Sequence, residues 1–453
     1  MAYLFNTPED QSQMLAAIGV ESLEDLFASV PPDLRLSEPL DLPSALSELE
    51  LVQHVTGLAA RNGSSVDRVC FLGGGSYDHF VPAVVDSLAS RGEFYTSYTP
   101  YQPEVSQGNL QAMFEYQTMV CQLTGLDVSN ASLYDGGSAT IEAVLMALNA
   151  TRREGKVVTS RSLHPEYREI MKTYLANLST ELVTVDAAEG RTDLSALAAA
   201  VDSQTACVVI GHPNFFGALE SMGEVARIAH EAGALLIQVF DPISLGLLKR
   251  PGDWGADIAV AEGQSLGSPM SFGGPYLGLM ACRESFVRRL PGRIAGQTTD
   301  RRGRRCWVLT LQTREQHIRR AKATSNICTN QGLIALRAAI YLAAMGPHGL
   351  RETAELCLQK AHYAQQKLTA ASRYQLAFAQ PTFKEFVVRD SRSDVAHLLS
   401  QAERRGWLAG IPLERWYPEL HDCFLVAVTE KRTREQIEGW ADCLCSDLED
   451  VPF

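Results

Sequence analysis

A chain of 453 residues, 46% hydrophobic and 21% charged, has the material for a large soluble core and two or three domains. Its net charge of −13 argues against general affinity for nucleic acid, and no apolar run reaches the ~20 residues of a membrane span. Ten cysteines without a CxxC pair suit reduced thiols in a cytoplasmic protein better than a disulfide frame or a zinc site, and no metal is expected. The start, MAYLFNTPEDQSQM, lacks the basic and apolar regions of a signal peptide.

Residues 1–60 read as a helical arm, with helical spacing over 8–18 and 22–30 and a capping-box pair in Ser22 and Asp25. Pro31, Pro32, Pro39 and Pro43 interrupt it before an amphipathic helix over 44–61. Gly73, Gly74 and Gly75 read as a tight turn, since no lysine follows to make them a phosphate loop. In 93–108, Tyr95, Tyr98, Tyr101 and Gln102 alternate with Thr, Ser and Pro, and Pro100 and Pro103 hold the backbone extended. Such a rigid aromatic loop suits a ligand or partner surface as well as a packed loop under a helix. A helix follows over 110–123. The turn at Asp135, Gly136, Gly137 and Ser138 then opens an apolar helix through 148, which makes either an anion nest or a simple cap.

Strands and helices alternate from there. Strands are expected at 157–160, 181–185, 206–211, 234–240, 258–261 and 276–281, with helices at 166–178, 194–201 and 222–232. Continuous apolar strands indicate a doubly wound α/β domain covered on both faces. Ligands in such sheets lie beyond the strand carboxyl ends, where His164, His212, Asn214, Asp241 and Gln264 are the candidates. Residues 283–322 hold twelve Lys/Arg against three acids, including Arg301, Arg302, Arg304, Arg305, Arg319 and Arg320. This stretch is either a solvated basic face or a docking surface for an acidic partner. Helices over 331–344 and 352–371 lead to a smaller αβ unit with strands at 385–388 and 424–428 and a helix over 433–448.

The anion nest, His164 and Asp241 stand in the chain order of a pyridine-cofactor site: phosphate seat, ring-stacking group, acid for the pyridinium nitrogen. The lysine needed for a Schiff base is absent, and Gln264 stands at its position. Of the eight lysines, Lys249 and Lys322 come nearest, and nothing in the sequence positions either. Gly263-Gln264-Ser265-Leu266-Gly267 matches GxSxG, but the Ser268-Pro269 and Gly273-Gly274-Pro275 that follow do not open the helix a nucleophile elbow requires.

The blocks FLGGGSYDHFVPAVV, EFYTSYTPYQPEVSQGNLQAMFEYQTMV, SLYDGGSATIEA, SPMSFGGPYLG and RRAKATSNICTNQGL span nearly the whole chain. In them the chain resembles the N-terminal half of glycine decarboxylase, the P-protein of the glycine cleavage system. The resemblance implies the pyridoxal-phosphate-dependent transferase fold of type I: an arm (1–60), a large α/β domain (61–330) and a small C-terminal α+β domain (331–453). It implies a second subunit that carries pyridoxal phosphate and, where this chain has Gly263-Gln264, a His-Lys pair. It also implies glycine as substrate, a lipoylated H-protein as acceptor of the aminomethyl group, and two copies of each subunit. Tyr95, Tyr98, Thr99, Tyr101, Gln102 and Gln107 are then expected to line the mouth of a shared site. Gly136, Gly137, Ser138, His164 and Asp241 would be a remnant nest filled by side chains. The alternatives are an independent pyridoxal lyase or decarboxylase using Lys249 or Lys322, and a non-catalytic scaffold subunit.

Overall fold

The computed structural model describes residues 5–446 apart from 37 and 39, so Pro39 and residues 447–448 of the last expected helix lie outside the described residues. The chain divides into two units, Met1–Ser64 and Ser65–Phe453. In the first, helices Pro8–Ile18 and Glu48–Ala59 open with reciprocal capping boxes, Thr7 with Asp10 and Ser47 with Glu50. The expected box at Ser22 and Asp25 also forms, with Ser22 N donating to Asp25 Oδ2 at 2.8 Å. It starts only a 3-10 turn, Glu24–Phe27, instead of a helix over 22–30. Pro31 and Pro32 deny the next turn its backbone donors and crowd the residue before them.

Strands of the second unit are numbered in chain order: β1 (Val69–Cys70), β2 (Val128–Ser129), β3 (Lys156–Ser160), β4 (Glu181–Val185), β5 (Thr205–His212), β6 (Leu235–Phe240), β7 (Ile258–Glu262) and β8 (Gly278–Cys282). After them come β9 (Ile294–Thr299), β10 (Arg305–Thr310), β11 (Tyr374–Leu376), β12 (Glu385–Asp390), β13 (Trp407–Leu408), β14 (Ile411–Pro412) and β15 (Cys423–Ala427). A seven-stranded sheet runs β2-β8-β7-β6-β5-β3-β4. Its pairings from β7 to β4 are parallel, and β8 runs against both of its neighbours.

The apolar runs predicted a sheet buried on both sides, and adjacent residues do serve opposite cores. Val157, Val209, Ile237, Ile258 and Met280 pack under helix Gly136–Thr151 with Ile141, Val144 and Met146. Val158, Val208 and Leu236 join a second core, and Ala259, Ala261 and Leu279 a third. The expected strand at 276–281 is displaced to Gly278–Cys282, because Tyr276 leaves the sheet and its Oη sits 2.8 Å from Ser76 Oγ.

The small sheet is antiparallel, in the order β11-β12-β15-β14, and is covered by helices Val395–Arg404 and Arg434–Cys445. Residues early in the unit reach it: β1 pairs parallel with β13, and Phe71 stacks on Trp440 at 4.7 Å. The two helices expected over 331–344 and 352–371 form within Gly332–Thr369, separated where Gly346 takes a non-helical φ of 60° ahead of Pro347. By length and composition the run Gly332–Thr369 could cross a membrane. Here its Ala338, Tyr341 and Ala354 are packed in one core and its Ala361, Ala364 and Leu368 in another. All ten cysteines are free thiols.

Candidate functional site

The carboxyl ends of β3, β5, β6 and β7 converge on a cavity of about 70 Å³ lined by His164, Tyr167, Asn214, Asp241 and Glu262. The sequence candidates His164 and Asp241 therefore do meet. Two further residues lining the cavity, Lys384 and Glu385, come from the start of β12 in the small sheet.

The anion nest forms, but its seat is taken. Asp135 caps helix Gly136–Thr151 by accepting from Ser138 N at 2.7 Å. The N–H of Gly136 points instead at Glu262 Oε2, 2.9 Å away. Glu262 Oε1 also accepts from Gln264 N at 2.9 Å and Leu277 N at 3.0 Å. One carboxylate thus meets three backbone donors, the pattern a phosphate would use at a helix N-terminus. Tyr167 closes the same corner: a Cβ on Gly136 would collide with its hydroxyl, so residue 136 must be glycine for packing alone.

At the other end, Asp241 accepts from Ile243 N at 3.0 Å through Oδ1 and pairs through Oδ2 with Lys384 Nζ at 2.7 Å. Lys384 is 1% exposed, lies 3.0 Å from His79 Nε2, and sits 3.4 Å above the Tyr77 ring. The acid expected to hold a pyridinium proton holds an ammonium group of its own chain. His164 stacks on Tyr167 at 4.5 Å and donates from Nε2 to Gly74 O at 2.8 Å. Its Nδ1 accepts from Glu166 N at 3.2 Å, and burial keeps the ring neutral by lowering its pKa. Gln264 is fully buried and clamps the segment above: Oε1 accepts from Tyr77 N at 2.9 Å, while Nε2 donates to Tyr77 O at 3.0 Å and Ser268 O at 2.7 Å. Gly74 and Gly75, with φ of 71° and 103°, make the tight turn expected there.

Pyridoxal phosphate does not fit these residues. The phosphate seat holds Glu262, the acid holds Lys384, and the residue at the lysine position is an amide. The remaining space is also far below the ~300 Å³ at which ligand pockets begin. Neither lysine singled out from sequence lines the cavity: Lys249 lies over the Trp254 ring at 4.4 Å, and Lys322 is exposed. Lys384 and Glu262 went unread for different reasons. Lys384 comes from a different sheet, far along the chain. Glu262 stood beside the Gln264 anomaly, and its only signal was an acid at a strand end facing a glycine-rich helix start. Among the described residues, the metal-type side chains His79, Cys357 and Glu430 come together next to Lys384. They bond to one another, His79 Nδ1 to Glu430 Oε2 at 2.7 Å and Cys357 Sγ to the same oxygen at 3.5 Å.

Buried acids make this region sensitive to pH. Burial pushes the Glu385 carboxyl from 4.5 up to about 7, against the N–H of Gly74. Burial likewise raises Glu262 to about 7. A folded-state acid with a raised pKa is protonated while the unfolded chain is ionised, so its contribution to stability falls as pH rises from 4.5 to about 7. His212, which burial and then Arg191 lower from 6.5 to about 4, works in the opposite sense as pH drops. The two trends offset each other in the parent protein, and a variant is needed to separate them. Glu385→Gln keeps an acceptor for Gly74 N–H and offers a donor to Tyr77 Oη, so it removes only the acid's titration. Its stability relative to the parent is expected to improve by on the order of 3 kcal/mol between about pH 5 and about pH 8, at ~1.4 kcal/mol per pKa unit. Urea unfolding at the two pH values reads this, and a difference that does not change with pH contradicts it.

The 93–108 block lies elsewhere on the second unit. Tyr95, Tyr98 and Thr99 line a separate pocket that also contains Arg293. Tyr101 lies beside it, with its ring 5.6 Å from the Arg293 guanidinium carbon. Gln102 is exposed and does not line the pocket. Gln107 is withdrawn from it: its amide donates to Pro103 O and Trp307 O, at 2.6 and 2.8 Å, and accepts from Trp307 N at 3.0 Å, fastening the loop to β10. The basic stretch is not one surface. Arg283 pairs with Asp257, Arg293 is buried, and Arg314 turns inward onto the carbonyls of Leu290, Leu311 and Gly292. Arg301, Arg302, Arg304 and Arg305 are exposed at the β9–β10 turn, which the sequence did not reveal, and Arg319 and Arg320 are exposed beyond it.

The family described as glycine cleavage system P-protein matches residues 1–444. A protein of Carboxydothermus hydrogenoformans named probable glycine dehydrogenase (decarboxylating) subunit 1 is 51% identical over 447 residues, 99% of this chain and all of that one. A crystal structure of glycine decarboxylase (P-protein) of the glycine cleavage system, in inhibitor-bound form, superposes with a TM-score of 0.90 at 46% identity, covering 98% of this chain and 99% of that one. A sphingosine-1-phosphate lyase of Burkholderia pseudomallei, at 16% identity and a TM-score of 0.66 over 92% of this chain and 93% of that one, shares the fold alone. The sheet order and these likenesses make this the pyridoxal-phosphate-dependent transferase fold of type I. With full-length identity near one half, the chain belongs to the glycine cleavage system P-protein family.

Proposed function

We propose that this chain is the half of a glycine decarboxylase that lacks the cofactor lysine, and that it completes an active site whose pyridoxal phosphate sits on a second, lysine-bearing subunit. The filled cavity carries the reading: Glu262 occupies the phosphate seat, Lys384 neutralises Asp241, and Gln264 cannot bond a cofactor covalently. The partner's cofactor would supply the electron sink for loss of carbon dioxide from glycine. This chain would supply walls and orientation. Tyr95 and Tyr98, 66% and 90% exposed on a fold with ample core, suit a face covered by another protein. In the arm, helix Glu48–Ala59 exposes Leu49, Leu51, Val52, Val55 and Leu58, an apolar load that also favours a partner.

Relatives named subunit 1 imply a second P-protein subunit, and two copies of each would make a closed pair of pairs. The exposed arginines at 301, 302, 304, 305, 319 and 320 suit docking of an acidic, lipoylated H-protein that accepts the aminomethyl group. The composition and free thiols suit the cytoplasm.

Mixing the isolated chain with pyridoxal phosphate is expected to give no lysine-bound absorbance band and no borohydride-fixed cofactor, and adding the second subunit is expected to give both. A stable band with this chain alone would favour an independent lyase. In the assembled complex, replacing Tyr95, Tyr98 and Tyr101 together by Ala is expected to slow glycine–bicarbonate exchange roughly 10- to 100-fold, the scale of lost positioning. Unchanged exchange would leave only a scaffold role.

A further inference from the structure

We propose that the pocket beside the tyrosine loop is a carboxylate site with Arg293 as its counter-charge, and that in the assembled enzyme it receives the carboxylate of glycine. The second half of this statement rests on the shared-site reading above; the first does not.

Arg293 precedes β9 and is 4% exposed. Its hydrogen bonds go to neutral oxygens: Asn330 Oδ1 at 3.1 Å, Thr99 Oγ1 at 3.3 Å, Cys328 O at 3.4 Å and Thr329 Oγ1 at 3.5 Å. Most are longer than the usual 2.7–3.2 Å. Its Nε has no partner among the described residues. Arg314 likewise meets only neutral carbonyl oxygens, but two other inward-facing arginines hold carboxylates. Arg373 grips Asp390 with two bonds of 2.7 and 2.8 Å, and Arg432 holds Asp78 at 2.7 Å. A buried guanidinium without a carboxylate carries a large desolvation cost that an incoming anion would offset.

The pocket has room for that anion. It measures about 160 Å³, and among the described residues Arg293 is the one charged residue lining it. Around the arginine stand Tyr95, Tyr98, Thr99, Asn109 and Asn330, and a second buried polar atom, the hydroxyl of Tyr116, also lacks a partner among the described residues. One positive charge among neutral hydrogen-bonding groups matches a monoanion, and the planar guanidinium matches the two oxygens of a carboxylate. A phosphate dianion would call for more positive charge than this lining holds.

Two measurements test the proposal. With the isolated chain, acetate at fixed ionic strength is expected to raise the thermal midpoint of the parent above that in chloride, and to leave Arg293→Met unmoved. No acetate-specific shift in the parent overturns the carboxylate site. With the assembled complex, equilibrium dialysis compares radiolabelled glycine with methylamine, the same amine without a carboxylate. Arg293→Met is expected to weaken glycine binding roughly 10- to 100-fold, the scale of a lost charge-assisted pair, and to leave methylamine within about twofold. Arg293→Lys should fall between, and Tyr116→Phe should weaken glycine alone by a smaller factor. Equal loss of both amines would make Arg293 a loop-positioning residue. Failure of Arg293→Met and Arg293→Lys to assemble would assign the pocket to an acidic side chain of the partner. Either outcome overturns the proposal. If the parent complex binds no glycine while acetate still stabilises the isolated chain, the shared-site reading fails and the carboxylate site stands.

Discussion

Replacing Lys384 by Met while Asp241 remains is expected to lower stability by about 3–5 kcal/mol, the scale measured when one partner of a buried ion pair is removed. The ammonium group has three neighbours: Asp241 Oδ2 at 2.7 Å, His79 Nε2 at 3.0 Å and the Tyr77 ring at 3.4 Å. Without it, Asp241 is left with the N–H of Ile243 as its remaining side-chain bond in the cavity. The cost should come mainly from this stranded carboxylate and less from the lost attraction, so the double variant Lys384→Met with Asp241→Leu should recover most of it. Urea midpoints of the parent, both single variants and the double variant form a cycle with an expected coupling of about 2 kcal/mol or more. Additive losses would mean that the pair is incidental.

The same pair shows what the sequence could and could not disclose. The strands of the large sheet were readable to within a residue at 157–160, 181–185, 206–211, 234–240 and 258–261, because burial on both faces leaves an unbroken apolar run bounded by polar turns. The two-residue edge strand β2 and the β9–β10 hairpin carried no such run; charges at Arg301, Arg302, Arg304 and Arg305 masked the second. At the cavity, local signals sufficed where the chemistry was local. The nest, His164 and Asp241 stood at strand ends in order, and the missing lysine at Gln264 was visible. What fills the site was not local. Lys384 arrives from β12, and nothing near Asp241 in the chain announces it. Gln264 illustrates the difference between a gap and a function: the sequence showed an amide where an amine was required, while the structure shows that amide bonding Tyr77 across the chain. Gln107 makes the converse point. A polar residue in an aromatic loop suggests a ligand contact, but here both ends of its amide are occupied by β10 and by Pro103.

Removing the carboxylate of Glu262 should expose the anion seat it occupies. In Glu262→Ala the N–H groups of Gly136, Gln264 and Leu277, each 2.9–3.0 Å from that carboxylate in the parent, lose their common acceptor. Since each unsatisfied donor costs ~1–3 kcal/mol and water can satisfy part of the set, a loss of about 2–5 kcal/mol is expected. The start of helix Gly136–Thr151 then presents free donors and the positive end of its dipole to an open space, which defines a phosphate site. Inorganic phosphate at about ten times its dissociation constant should return about 1.4 kcal/mol to the variant, by mass action on the folded state. The parent, with the seat filled, should gain only what chloride at equal ionic strength gives it. Unfolding midpoints of both proteins across a phosphate titration decide the matter, and parallel responses would show that Glu262 is not standing in for a phosphate. The restored affinity would bring no covalent chemistry at residue 264, which is still an amide. A single strand-end acid would then account for the closed phosphate seat, and Gln264 for the missing Schiff base.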